Sequence, residues 1–184
     1  MSKKIILFSI ALAVTFGVAT QVEAKKRLKM TNYLFAYFIG NAPQEEQIHF
    51  AVSNDGFNYT PLNGGNPVIG SDSIALTKAV RDPHILRGED GSYFMVVTDM
   101  RSSLGWSSNR GIVLLHSKDL VHWTHRTVHF PEKYKGTHFA HVTRVWAPQT
   151  IYDKSVGKYM VYFSLLTDDG SIPYDRVYYC YANA

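Results

Sequence analysis

Asp82, which stands directly before Pro83, has the residue type and the setting for proton-transfer chemistry. It lies at the predicted start of an inner β-strand, and the proline fixes the backbone that follows, so the carboxylate is presented rigidly. A carboxylate held in this way can take a proton from a reacting group. The alternative is that Asp82 only caps a turn and pairs with Arg81, and the residue types leave both interpretations open.

The segment that contains Asp82 is repeated later in the chain. Residues 81–86 (Arg-Asp-Pro-His-Ile-Leu) and the apolar segment 91–99 correspond to residues 146–151 (Trp-Ala-Pro-Gln-Thr-Ile) and 157–164. The same strand, turn and strand are therefore predicted twice. A repeat of this kind is typical of a propeller or a solenoid.

A second repeat links residues 48–59 with residues 112–123. In both segments a strand ends in serine, an aspartate follows two positions later, and an aromatic residue returns after a tight corner. The aspartate can accept hydrogen bonds from turn amides while the aromatic ring folds back onto the sheet, which predicts an outer hairpin. The separation of Ser53 and Ser117 suits one four-stranded blade with a long loop, because bare blades have about 40 to 50 residues.

Tyr, Phe and Val are frequent throughout, and Gly, Asn, Asp and Pro interrupt the apolar runs every ten or so residues, a pattern that favours short strands. The predicted strands are residues 33–39, 48–53, 84–87, 93–98, 112–117, 150–153, 159–165 and 176–181. They predict an all-β fold with an outer strand pair at 33–60, a full module at 81–125 and most of another at 145–181. Closed propellers have four to eight blades, so the chain is expected to hold an incomplete propeller of about two to three.

The N-terminal residues 1–24 have the pattern of a secretory signal peptide, with a basic start, an apolar run over residues 5–19 and a small-residue cleavage site at Ala24. A membrane anchor is the alternative, but the apolar run is shorter than the roughly 20 residues that a spanning helix needs. Residues 25–184 are then long enough for one domain. The basic cluster at residues 25–27 is expected to be a solvated tail, not a nucleic-acid site.

Metal and disulfide chemistry find little support in the residue types. Cys180 is the only cysteine, so no disulfide within the chain can form and no multi-cysteine metal site is available. The eight histidines nowhere give the His-Glu-x-x-His pattern of zinc proteases.

The repeated segments resemble those of glycoside hydrolase family 43, whose members act mostly as β-xylosidases and α-L-arabinofuranosidases. The resemblance depends on residues 81–85 (Arg-Asp-Pro-His-Ile) at the start of a blade, residues 117–123 (Ser-Lys-Asp-Leu-Val-His-Trp) at its end, and residues 145–149 (Val-Trp-Ala-Pro-Gln) at the start of the next. It covers nearly all of residues 25–184. Similar blades also occur in neighbouring glycosidase families.

The resemblance implies a five-bladed β-propeller and hydrolysis with inversion, and it gives Asp82 the role of general base. Inversion also needs a general acid roughly 6.5 to 9.5 Å from the base. The family's acid and a second aspartate lie in later blades. At the position of the second module that is taken to match Asp82, the chain carries Gln149 and not a carboxylate. The downstream aspartates have the neighbours of turn residues and are given no role: Asp153, Asp168, Asp169 and Asp175.

Four further residues are candidates for binding a sugar at the rim or mouth of the propeller. Trp106 offers a flat stacking face in a Ser- and Gly-rich loop, and Asp99 at the end of the preceding strand could bind hydroxyls. Trp146 would form a subsite wall, and His84 would face the channel. The alternatives are a solvated loop for the first pair, blade-to-blade packing for Trp146 and a packed histidine for His84.

These expectations describe a secreted or periplasmic glycosidase that acts on arabinofuranosyl or xylosyl units of plant polysaccharide. Its partner would be an oligo- or polysaccharide, with no nucleic acid, no membrane span and no cofactor, although the resemblance also allows a structural calcium ion. The alternatives are a propeller that binds carbohydrate without catalysis and a purely structural repeat. The 184-residue chain alone is expected to lack normal activity, because the acid cannot be placed.

Overall fold

The computed structural model describes residues 31–182, which form three antiparallel β-sheets with few helical residues. The predicted signal peptide and the basic cluster at residues 25–27 lie outside the described residues. The all-β class predicted from the sequence is confirmed.

The strands follow one another along the chain and each pairs with its neighbour. Sheet 1 contains β1 (Tyr33–Tyr37), β2 (His49–Ser53) and β3 (Thr60–Pro61) in that order. Sheet 2 contains β4 (Val80–Arg87), β5 (Tyr93–Asp99), β6 (Gly111–Ser117) and β7 (Trp123–His129) in that order. Sheet 3 contains β8 (Val142–Asp153), β9 (Lys158–Thr167) and β10 (Arg176–Ala182), with β9 in the centre.

Two short α-helices lie in the connections, α1 (Ser71–Ile74) and α2 (Phe130–Lys133). In the described part of the chain, no helix combines the length and the apolar character that crossing a bilayer requires.

All eight predicted strands are present, and two strands, β3 and β7, were missing from the prediction. β7 was anticipated only as the aromatic that returns at Trp123. β4 and β8 also begin earlier than predicted, at Val80 and Val142. The pairing register shifts within both strands. Because the shift interrupts the alternation of side chains between the two faces, the sequence pattern did not reveal where these strands begin.

Sheet 2 lies between the other two sheets because both of its faces are apolar. On one face, Met95, Val97 and Val113 pack in the same core cluster as Phe50 of β2 and Ile48, the residue directly before β2. On the opposite face, the alternate residues Val96 and Ile112 pack with a second cluster from sheet 3, which includes Val142, Val145, Val161 and Leu165. This is the period-two alternation of a strand that is buried on both sides.

The predicted outer hairpin is confirmed at both ends of the repeat. Asp119 Oδ1 accepts the backbone N–H groups of Val121 and His122 at 2.9 and 2.8 Å, and the hydroxyl of Ser117 donates to the same oxygen at 3.1 Å. Asp55 makes the corresponding contacts with the backbone of residues 57 and 58. Hydrogen bonds from the His122 side chain, followed by those from the turn amides, hold the pKa of the Asp119 carboxyl well below its usual range.

Candidate active site

Asp82 lies inside β4, where the strand bulges away from regular pairing. Its backbone has φ of 51°, a left-handed conformation that L-residues other than glycine seldom adopt. The register with β5 breaks between Arg81 and His84, and Pro83 follows directly. Bulges of this type redirect a side chain, and non-glycine residues in this region cluster at functional sites. The bulge therefore presents Asp82 differently from the other residues of its strand.

The carboxylate of Asp82 is oriented by Thr98, a completely buried residue near the end of β5. The Thr98 hydroxyl donates to Oδ2 of Asp82 at 3.0 Å, and its oxygen accepts the backbone N–H of Ala147 at 3.0 Å. Oδ1 of Asp82 makes no hydrogen bond with any residue in 31–182, and the side chain is half-buried. One carboxylate oxygen is thus fixed by the protein while the other can accept a proton from a water molecule.

Ala147 is the structural counterpart of Asp82 in sheet 3. It has φ of 49°, it precedes Pro148, and it lies in a register break of β8 between Trp146 and Gln149. The structure agrees with the alignment of residues 81–86 with residues 146–151, which sets Asp82 opposite Ala147, so the assignment of Gln149 to the position of Asp82 was wrong by two residues. Gln149 instead accepts a hydrogen bond from the hydroxyl of Tyr162 at 2.5 Å.

Arg81 does not pair with Asp82 among the described residues. Its guanidinium donates to Oε1 of Glu46 at 2.9 Å and to Oδ1 of Asn41 at 2.7 Å. It also lies 4.5 Å from the ring centroid of Phe38 and 5.7 Å from that of Trp106. The alternative in which Asp82 serves only as a partner of Arg81 therefore has no contact to support it here.

Trp106 lies in a short 3₁₀ turn after β5, with 57% of its surface exposed. Its contact with Arg81 places the exposed indole beside the residue that precedes Asp82. The structure thus gives Trp106 an accessible aromatic face in contact with Arg81, the residue before Asp82.

Asp99 has a structural role in this fold. It is 2% exposed, and its oxygens accept the backbone N–H groups of Leu76 and Thr77 at 2.8 and 2.9 Å and the Thr77 hydroxyl at 2.6 Å. Arg101 is used similarly, since it donates to the carbonyl oxygens of Thr77 and Lys78. The Asp99 carboxylate is buried and bound by these donors, so we leave Asp99 out of the candidate site.

His84 joins sheets 2 and 3. Its Nδ1 accepts the backbone N–H of Thr150 at 3.3 Å, which requires a lone pair on that nitrogen. Burial lowers the pKa of His84 and favours the neutral ring. This placement matches the packed alternative stated for His84.

The ring of Trp146 lies on the face of sheet 3 turned away from sheet 2. Trp146 pairs with Ser164, whereas its neighbour Val145 is buried in the core cluster shared with sheet 2. The Arg144 guanidinium lies 4.9 Å from the Trp146 ring and is held by Asp175 at 2.6 Å. The backbone that follows Trp146 reaches the contacts around Asp82, because the N–H of Ala147 donates to the Thr98 hydroxyl.

The downstream aspartates have structural partners, as their neighbours in the sequence indicated. Asp153 and Asp169 accept hydrogen bonds from Ser155 and Ser171 within their turns. The Ser171 side chain is the main cause that lowers the pKa of Asp169 to about 2. Asp168 lies 3.8 Å from His141, and Asp175 holds Arg144. We assign no general acid within residues 31–182.

Two residues of the site were missed from the sequence. Thr98 was read as an ordinary strand residue beside Asp99, although its hydroxyl and not the Asp99 carboxylate contacts Asp82. Glu46 lies in the connection between β1 and β2, far from Arg81 in the chain, and no spacing signal joins them. Both contacts arise from tertiary structure that a local pattern does not encode.

The structural calcium ion that the resemblance allows stays a prediction. No three His, Cys, Asp or Glu side chains in the described range lie close enough together to hold a metal ion. We therefore route no chemical step through calcium.

Comparison with known proteins places this geometry in a family. A family model described as "Probable glycosyl hydrolase domain", related to glycoside hydrolase family 43, matches residues 29–184. A curated α-L-arabinofuranosidase of Bifidobacterium longum subsp. longum is 30% identical over 168 residues, which is 85% of this chain and 16% of that protein.

Solved structures share the fold at low sequence identity. A glycosyl hydrolase from Bacteroides ovatus matches with a TM-score of 0.53 at 18% identity, over 82% of this chain and 46% of that one. A family 117 glycoside hydrolase from Zobellia galactanivorans matches with a TM-score of 0.52 at 16% identity, over 82% and 52% of the two chains. The chain thus spans about half the length of these structures and less of the curated relative. Because the family model covers nearly all of residues 25–184, the chain belongs to this family of glycosyl hydrolase domains related to glycoside hydrolase family 43.

Proposed function

We propose that this chain forms part of a secreted glycoside hydrolase with a five-bladed propeller, and that Asp82 is its general base. The observation that carries the proposal is the setting of Asp82: a left-handed bulge aims the side chain, Thr98 fixes Oδ2, and Oδ1 keeps its capacity to accept a proton. Family membership supports the reaction class.

The proposed chemistry is hydrolysis with inversion. Oδ1 of Asp82 takes a proton from a water molecule as the water oxygen attacks the anomeric carbon, and the glycosidic oxygen leaves on the opposite face of the sugar. A carboxylic acid across the sugar gives its proton to that leaving oxygen, at roughly 6.5 to 9.5 Å from the base. We propose that the acid comes from further blades of the complete propeller.

The proposed substrate is an oligo- or polysaccharide with terminal arabinofuranosyl or xylosyl units. The name of the curated relative, an α-L-arabinofuranosidase, supports the first of these sugars. We propose that the exposed face of Trp106 stacks on the sugar next to Asp82, since a flat aromatic beside a few polar groups is a common way to bind an apolar sugar face. Trp146 would bind the sugar only if the complete propeller places its ring in the central channel.

A carbohydrate-binding propeller without catalysis is the second candidate. It is favoured by Ala147, which has the backbone of Asp82 but no carboxylate, and by the structural partners of the downstream aspartates. The two candidates differ in turnover and not in saccharide binding.

The experiment is an assay of the 184-residue chain and of the complete protein that contains it on aryl α-L-arabinofuranoside and aryl β-xyloside, with the product anomer followed by NMR. We expect turnover with inversion from the complete protein, and far less from the chain alone. Saccharide binding without turnover in the complete protein would favour the second candidate. Turnover with retention would contradict the mechanism.

A further inference from the structure

Glu46 is a fully buried carboxylate next to the candidate site. Its Oε1 accepts the Arg81 guanidinium at 2.9 Å and the backbone N–H of Ser102 at 2.9 Å. Its own backbone carbonyl accepts the N–H of Val80 at 2.9 Å. Glu46 therefore connects the β1–β2 loop, the start of β4 and the loop after β5.

Arg81 receives its position from several directions at once. Besides Glu46, it contacts the Asn41 side chain and lies over the rings of Phe38 and Trp106. The Ser102 hydroxyl also donates to the carbonyl of Asn41 at 2.9 Å, which ties the Trp106 loop to the same cluster. A guanidinium held by this many partners has little freedom to rotate, and the indole beside it is correspondingly restrained.

Stability alone does not explain a buried ion pair at this place. Such pairs are often replaced by apolar residues of similar size with no loss of stability, because desolvation offsets most of the attraction. Oε2 of Glu46 adds to that cost, since it is buried and has no partner among residues 31–182. Arg81 contacts the Trp106 ring with its side chain and directly precedes Asp82 in the chain, and these are the two residues that we propose to face one sugar.

We infer that the Glu46–Arg81 pair is a positioning device that sets the Trp106 ring and, through the backbone of residue 81, the Asp82 carboxylate. Asp82 needs such support because its left-handed backbone is unfavourable and persists only where neighbouring contacts enforce it. The inference deepens the proposed function and depends on it for its effect on catalysis. Its effect on the position of Trp106 is independent of any substrate.

The test uses the tryptophan indole N–H signals in the NMR spectrum of the complete protein, with the Trp106 signal assigned by its loss in Trp106→Phe. In Glu46→Gln we expect the Trp106 signal to shift or broaden without ligand present. We also expect kcat/KM to fall about 10- to 100-fold, as for a misplaced catalytic constellation. The control is Val113→Ala, a buried position in the neighbouring core that lowers stability but leaves the Trp106 signal unchanged.

A double variant, Glu46→Leu with Arg81→Met, separates positioning from stability. It removes both charges together, so an unfolding temperature nearer to that of the wild type than the Glu46→Gln value is expected. The positioning role predicts that the Trp106 signal and kcat/KM remain altered in this variant. Wild-type values of both in the folded double variant would overturn the inference. If the wild-type protein neither binds nor hydrolyses a saccharide, the proposed function fails, while the Trp106 signal still decides the inference.

Discussion

Asp82 and Ala147 are equivalent residues of two successive sheets, joined through the hydroxyl of Thr98. Their φ angles are 51° and 49°, each precedes a proline, and Thr98 donates to the Asp82 carboxylate while it accepts from the Ala147 amide. The fold thus repeats one unusual backbone conformation and places a carboxylate on only one copy. A backbone bulge that serves packing alone would need no such difference in its side chain.

Replacement of Thr98 by valine should destabilise the domain, because the buried hydroxyl satisfies both the Ala147 amide and Asp82. Leaving these groups unpaired should lower the free energy of unfolding by about 1–3 kcal/mol. Thr150→Val is the matched control, at a buried position of β8 whose hydroxyl takes no part in these contacts. Urea denaturation of both variants checks the prediction, and equal losses would remove Thr98 from this role.

Replacement of Ala147 by glycine should stabilise the domain slightly, because glycine adopts φ of 49° without the steric cost of a Cβ atom. The gain expected is of order 0.5–1 kcal/mol, since the greater freedom of glycine in the unfolded chain offsets part of the relief. Ala36→Gly, in β1 and without a positive φ, should have the opposite sign. Thermal unfolding of the two variants measures the difference, and a loss of stability in Ala147→Gly would contradict it.

Replacement of Asp99 by asparagine should act on stability and not on sugar binding. The carboxylate accepts two backbone N–H groups and the Thr77 hydroxyl, and hydrogen bonds to a charged group contribute about 1.5–3 kcal/mol each when their loss is not compensated. We expect a lower unfolding temperature and an unchanged dissociation constant for saccharide below that temperature. Weaker saccharide binding by the folded variant would return Asp99 to the binding site.

His84 should make stability depend on pH below neutrality. Burial lowers its pKa in the folded protein, so the unfolded chain binds the proton first, near pH 6.5, and the free energy of unfolding falls as the pH drops from there toward the folded-state pKa. His84→Asn, which keeps an acceptor for the Thr150 amide, should reduce this dependence. His125→Asn, on the exposed side of β7, is the control. An identical pH dependence in wild type and His84→Asn would contradict the assignment.

The sequence predicted the strands and their repeat because these depend on local alternation and on turn residues, as the contacts of Asp119 with its turn show. It also singled out Asp82, whose Asp-Pro setting is local. It did not predict the roles of Thr98 and Glu46, because their partners are distant in the chain. It predicted that Asp99 binds a sugar, because the sequence does not show whether an acidic residue at the end of a strand faces solvent or buried amide groups. The assignment of Gln149 was wrong for a different reason, since the repeat of residues 81–86 at residues 146–151 already sets Asp82 opposite Ala147.

The most direct measurement is the turnover of the complete protein with Asp82→Asn, compared with wild type on the best aryl glycoside. Asparagine keeps the size of the side chain and tolerates the left-handed backbone, but it cannot take a proton from water. We predict that kcat falls by about 100-fold to 10,000-fold, while the saccharide dissociation constant and the unfolding temperature change little. Turnover within a few-fold of wild type in the folded variant would show that Asp82 is not the base.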